Sequence, residues 1–170
     1  MKKATYLLAL ALLAAAPAAL AQTEPYRAPA GYSFRDAEDY ASYAPQVIEA
    51  ANWLEATPLD QEPDTRRAVN RFLLQWVSGS PAVKVKLQTF VTELSRQEPN
   101  YMLLFLGGWA RYQLQHPGEK DALTLNLAGL TPVLKMYQAN PVKKNKVLDE
   151  LLQEQANGTL QAWVQKRVLP

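Results

Sequence analysis

The sequence predicts an all-α protein: a compact single-domain bundle of about six or seven helices behind a cleaved signal peptide. Three observations predict it. Apolar residues recur at i, i+3, i+4 and i+7 along most of the chain. Proline, glycine and Asx residues break those patterns at short intervals. No segment sustains a period of two with β-branched enrichment for more than a few residues.

The chain opens MKKATYLLALALLAAAPAALAQ. Lys2 and Lys3 form a positive start, Ala4 to Ala16 an apolar run, and Ala19-Leu20-Ala21 the small-x-small pattern that precedes signal-peptidase cleavage. The run is too short for a spanning helix, which needs about 20 apolar residues. No cysteine follows it, so no lipid is attached there. The expected division is a signal peptide over 1–21, a flexible lead-in over 22–35 and a helical domain over 36–170. Export to a periplasm or the exterior follows as an expectation, with no transmembrane segment in the mature chain.

Cleavage removes Lys2 and Lys3, and the 18 basic groups then fall to match the 16 acidic ones. A balanced surface argues against a nucleic-acid partner, which needs a basic stripe to neutralise phosphates. The chain has no cysteine, which excludes thiol catalysis, thiolate zinc sites and redox work.

The elements follow in order. Residues 22–35, QTEPYRAPAGYSFR, have no helical period and read as a mobile or extended lead-in. Tyr43, Val47, Ala50, Ala51 and Leu54 share one helical face, with Pro45 in the first turn. Val69, Phe72, Leu73, Trp76 and Val77 form the clearest amphipathic stripe, entered through Glu62-Pro63-Asp64 and left at Ser78-Gly79. After Ser80-Pro81 the pattern resumes with Val83, Leu87, Phe90, Val91 and Leu94. Val83, Val85 and Leu87 also alternate as a short strand would. NYMLLFLGGWARYQLQ, residues 100–115, is apolar on all sides from Tyr101 to Ala110, the mark of a helix surrounded by others. Leu123, Leu127, Leu130, Leu134 and Tyr137 mark a helix that Pro132 is expected to kink or divide. Val147, Leu148, Leu151 and Leu152 carry another, ending at Asn157-Gly158. Thr159 then caps a short last helix bearing Leu160, Trp163 and Val164.

Gly107-Gly108 costs the central helix about 2 kcal/mol of propensity relative to two alanines. Close approach of a neighbouring helix would offset that. Alternatively, the missing side chains leave a pocket lined by Trp109 and Tyr112, with Arg111 as an anion contact.

Catalytic and metal chemistry find little support. His116 is the only histidine and stands at a helix exit without partners for catalysis or metal binding. Asp60 to Asp64 alternates carboxylates, but a calcium loop would need glycine at Thr65 and glutamate at Arg71. Arg66, Arg67 and Arg71 read as the polar side of their helix, and Lys143, Lys144 and Lys146 as a solvated run. No catalytic residue, metal site or cofactor is expected.

NRFLLQWVSGSP, YMLLFLGGWARYQLQHP and NLAGLTPVLKMYQANP together resemble a group of small exported bacterial proteins of undetermined function. The resemblance implies a shared helical domain over most of residues 40–168 and no mechanism. The expected function is binding of a protein, a peptide or a small apolar ligand in the envelope. An envelope hydrolase using a carboxylate pair and a purely structural component are the alternatives.

Overall fold

The computed structural model describes residues 26–139 and 143–168. Over these residues the chain is all-helical and compact, with eight helices and no strand. They are α1 (Ala37–Ser42), α2 (Ala44–Ala56), α3 (Pro63–Gly79), α4 (Thr89–Ser95), α5 (Asn100–Gln115), α6 (Ala122–Ala139), α7 (Lys146–Ala156) and α8 (Leu160–Gln165). No helix among the described residues is long and apolar enough to cross a membrane. The signal peptide expected over 1–21 lies outside the described residues.

The helix count exceeds the expected six or seven because a short helix, α1, forms ahead of the pattern that begins at Tyr43. Asp36 caps α1 by accepting the amides of Glu38 and Asp39. Pro45 has no N–H to continue that ladder, so the chain turns at Tyr43 and restarts as α2. The described part of the lead-in, residues 26–35, has no regular secondary structure. It lays Tyr32 and Phe34 into an aromatic cluster with Tyr40, Tyr43 and Phe72.

Helix α5 is the axis of the bundle and packs against α2, α3, α4 and α6. Every residue from Leu104 to Ala110 is buried. The two glycines are where its neighbours come closest. A Cβ on Gly107 would stand 3.3 Å from the Ala51 Cβ of α2. One on Gly108 would stand 2.6 Å from the Ala128 carbonyl oxygen and 2.7 Å from the Pro132 ring, both of α6. The close approach of neighbouring helices is thus present at both positions.

Pro132 does not divide α6, which runs unbroken from Ala122 to Ala139. Proline leaves the carbonyl four residues back, that of Ala128, without its helical donor. That carbonyl and the pyrrolidine ring both lie against Gly108, where no side chain intervenes. Gly129 repeats the device in the other direction, facing the Phe105 ring of α5.

Segment 80–89 replaces the early start expected for α4. Helix α4 begins only at Thr89, and residues 83–88 carry no regular secondary structure. At the far end, Asn145 joins three elements. Its side chain accepts the Val147 and Leu148 amides of α7 and donates to the Leu94 carbonyl (2.8 Å), while its backbone N–H donates to the Tyr137 hydroxyl. Gly158 adopts the expected left-handed cap (φ 73°). The Thr159 hydroxyl does not cap α8. It turns back to the Glu154 carboxylate.

Candidate functional site

The three residues singled out on α5 do not share one pocket. An α-helix turns about 100° per residue, so Trp109 and Arg111 face nearly opposite ways. Gly108, Arg111, Tyr112 and Gln115 form one stripe at i, i+3, i+4 and i+7 and line a groove of about 540 Å³ against α6. Trp109 and Gln113 form another and line a separate cavity of about 470 Å³. That spacing is written in the sequence; what stands opposite each stripe is not.

In the groove, Arg111 is already engaged. Its Nη2 lies 2.6 Å from Glu55 Oε2 and its Nη1 donates to Asn52 Oδ1 at 2.6 Å. Lys135 of α6 donates to the other Glu55 oxygen at 2.9 Å. Burial pushes the Glu55 carboxyl up, but hydrogen bonds and charge from Lys135 and Arg111 outweigh it and hold the group below its usual range. The cluster ties α2, α5 and α6 together, and an external anion would compete with Glu55 for Arg111. Tyr112 stacks on His116 with centroids 4.1 Å apart, and the imidazole Nδ1 sits 2.9 Å from the Tyr112 carbonyl oxygen. His116 therefore closes the C-terminal end of α5.

The Trp109 cavity is built differently. Its walls come from the 80–89 segment, the end of α5, the turn at Gly118–Lys120 and the start of α6. Trp109 is 1% exposed; its ring supplies the floor, together with Leu125, Pro81 and Ala82. Gln113 holds the walls together. Its Oε1 accepts from the Trp109 indole (3.2 Å) and from the Lys84 amide (3.3 Å), and its Nε2 donates to the Glu119 carbonyl (3.0 Å). Satisfying a buried indole N–H in this way is what keeps a tryptophan fixed beside a cavity.

The electrostatics of the cavity are one-sided. Lys84, Lys86 and Lys120 line it, and none of them forms an ion pair among the described residues. The one acidic lining residue, Glu119, accepts the Lys120 and Asp121 amides at Oε1, each at 2.8 Å, and the Lys84 ammonium donates to the Ser80 carbonyl at 3.1 Å, so the lysines outnumber the carboxylate three to one. An apolar floor under three ammonium groups is a site for a molecule with an apolar body and a negative end.

Arg66 is a correction to the sequence reading. Expected on the polar side of α3, it is 3% exposed. Its guanidinium lies over the Trp53 ring at 5.3 Å and donates to the Thr57 and Pro58 carbonyls at 2.6 and 2.9 Å, closing the end of α2. Desolvation lowers its pKa against the pull of Glu98 and Asp60. The tryptophans are also sorted: Trp76, Trp109 and Trp163 are buried, and Trp53 is half-buried between Tyr26 and Arg66.

No group of three or more metal-ligating side chains occurs among the described residues. The carboxyls that depart from their ordinary range, Asp39, Glu55 and Asp121, all shift down. That is the direction of ion-paired or capping carboxylates, opposite to that of a general acid. The chain matches no family model, no curated protein and no solved structure.

Proposed function

We propose that the chain is exported, is cleaved after Ala21, and acts by binding a small anionic amphiphile in the Trp109 cavity. The apolar body lies on Trp109 and Leu125, and the negative end faces Lys84, Lys86 and Lys120. The observation that carries this reading is the pairing of an apolar floor with three ammonium groups that have no carboxylate partner among the described residues. Domain boundaries at 22 and 36 belong to the same proposal, with 36–170 as the binding domain.

The test is calorimetric titration of the mature protein with decanoate, beside decanol of the same chain length. Decanoate is expected to bind at one site and decanol more weakly. The K84E/K86E/K120E variant should lose decanoate binding about tenfold or more, since opposed charge is replaced by like charge around the bound group. Equal affinity for the alcohol, or an unaffected triple variant, would sink the proposal. Intact mass of the exported protein checks the cleavage: a chain beginning at Gln22 supports it, and retention of residues 1–21 refutes it.

A further inference from the structure

Segment 80–89 has a second edge, turned away from Gln113, beside a groove that shares only Lys84 with the Trp109 cavity. Its ends are extended, with Ser80 at φ −59°, ψ 128° and Gln88 at φ −87°, ψ 157°. Between them Val83 is buried, Lys84 exposed, Val85 half-buried and Lys86 exposed, a pattern that ends at exposed Leu87 and buried Gln88. This is the alternation of a strand, without a sheet. The amides of Val83, Val85, Lys86 and Leu87 have no hydrogen-bond partner among the described residues, nor do the carbonyls of residues 81–87. Successive residues of an extended chain direct N–H and C=O to opposite edges. The Lys84 amide faces Gln113, so Val83, Val85 and Leu87 address the other edge.

Beside the segment lies a groove of about 290 Å³, in which Leu74, Val77, Val83, Val85, Leu87 and Leu106 supply an apolar side and Ser78 and Lys84 the polar groups. Leu74 and Leu87, each 49% exposed, are the large apolar side chains that stand out into solvent among the described residues. Both belong to this one groove. Exposed apolar side chains that converge on one groove mark an interaction surface, whereas scattered ones do not.

We infer that residues 82–87 receive an extended acidic segment of a partner protein by strand addition, its apolar side chains over the Leu74–Leu87 groove and its carboxylates beside Lys84 and Lys86, where it competes with the amphiphile. Backbone pairing supplies affinity in this mode, and the alternating side chains supply selection. A second copy of the chain fits less well. Two copies paired antiparallel about Val85 would set Lys84 against Lys86, and like charges directly opposed destabilise a strand pair.

The probe is a capped hexapeptide alternating glutamate and valine, read by fluorescence anisotropy and by amide hydrogen exchange of the protein. Saturable binding with slowed exchange at Val85 and Leu87 supports the inference. L74E/L87E should weaken it about tenfold or more, as placing carboxylates in an apolar pocket beside an acidic ligand would. Neither leucine lines the Trp109 cavity, so decanoate binding by this variant shows that it is folded and separates the two proposals. A peptide N-methylated at alternate residues should fail to bind, because it cannot pair along one edge. Equal binding of a lysine–valine peptide, unchanged exchange, or full binding by the N-methylated peptide would overturn the inference. So would protection of the same amides by dimerisation without peptide, or by anionic phospholipid vesicles that bind while the peptide does not.

Discussion

Helix α5 meets α6 backbone to backbone, and meets the 80–89 segment through side chains alone. Across the first contact, Gly108 faces the Ala128 carbonyl and the Pro132 ring at distances that leave no room for a methyl group. Across the second, one side chain, Gln113, holds the Lys84 amide, while much of the remaining backbone of the segment is unpaired. The first contact is rigid because two helices pack backbone against backbone with no side chain between them to yield. The second holds a stretch of chain whose peptide groups lack internal partners, the condition that leaves a surface available for recognition. Structure and candidate function therefore divide along α5.

The largest expected effect comes from closing the tight contact. G108A should destabilise the fold by about 2–4 kcal/mol, because its Cβ meets backbone that cannot yield without moving α6. Urea denaturation measures it, and a loss under about 1 kcal/mol would show that the helices separate easily. A smaller effect is expected at the ion cluster spanning α2, α5 and α6. E55Q should cost about 1–3 kcal/mol at neutral pH, between the values for exposed and buried pairs. The pH dependence follows from the sign of the shift. The folded-state pKa of Glu55 lies below its unfolded value, so its contribution is present above the unfolded pKa and lost as pH falls through the folded one. Denaturation midpoints taken from pH 7 downward should therefore fall less steeply for E55Q than for the parent; parallel curves would remove Glu55 from the cluster's stabilising role.

The loosely held side should respond less in stability and more in dynamics. Q113A should cost about 1–2 kcal/mol, for one lost set of hydrogen bonds and an indole N–H left unsatisfied. It should also speed hydrogen exchange at the Lys84 amide; unchanged exchange there would mean that Gln113 does not hold the segment. The smallest effect is expected at L87E, within about 0.5 kcal/mol of the parent, since the side chain already stands half in water. A thermal melt shifted by many degrees would instead make Leu87 part of the core.

Much of the bundle was legible because helix formation follows a local period. The stripe Val69–Phe72–Leu73–Trp76 is buried as its spacing required, and the uncharged run in α5 is buried at Tyr101 and from Leu104 to Ala110, with Met102 and Leu103 half-buried. The stripes of α5 were equally legible in retrospect: Gly108–Arg111–Tyr112–Gln115 and Trp109–Gln113 follow from 3.6 residues per turn. The exposed pair Leu74 and Leu87 was not, because Leu74 lies beside the buried stripe of α3 and Leu87 was assigned to a helix that starts two residues later.

The sequence by itself determined most of the helices, their apolar stripes and the absence of thiol chemistry, since each of these depends on neighbours within a few residues or on composition. Only the tertiary structure decided which elements stand opposite those faces. Pro132 keeps α6 whole because Gly108, 24 positions earlier, leaves space for its ring and for the carbonyl it strands. Arg66 is buried because α2 ends beside it with carbonyls to offer and Trp53 to lie against. Arg111 is matched to Glu55, and Trp109 to a lysine-rimmed cavity, by contacts between residues far apart in the chain. Periodicity fixes the direction in which a side chain points along its helix; the partner it meets there depends on how the helices pack.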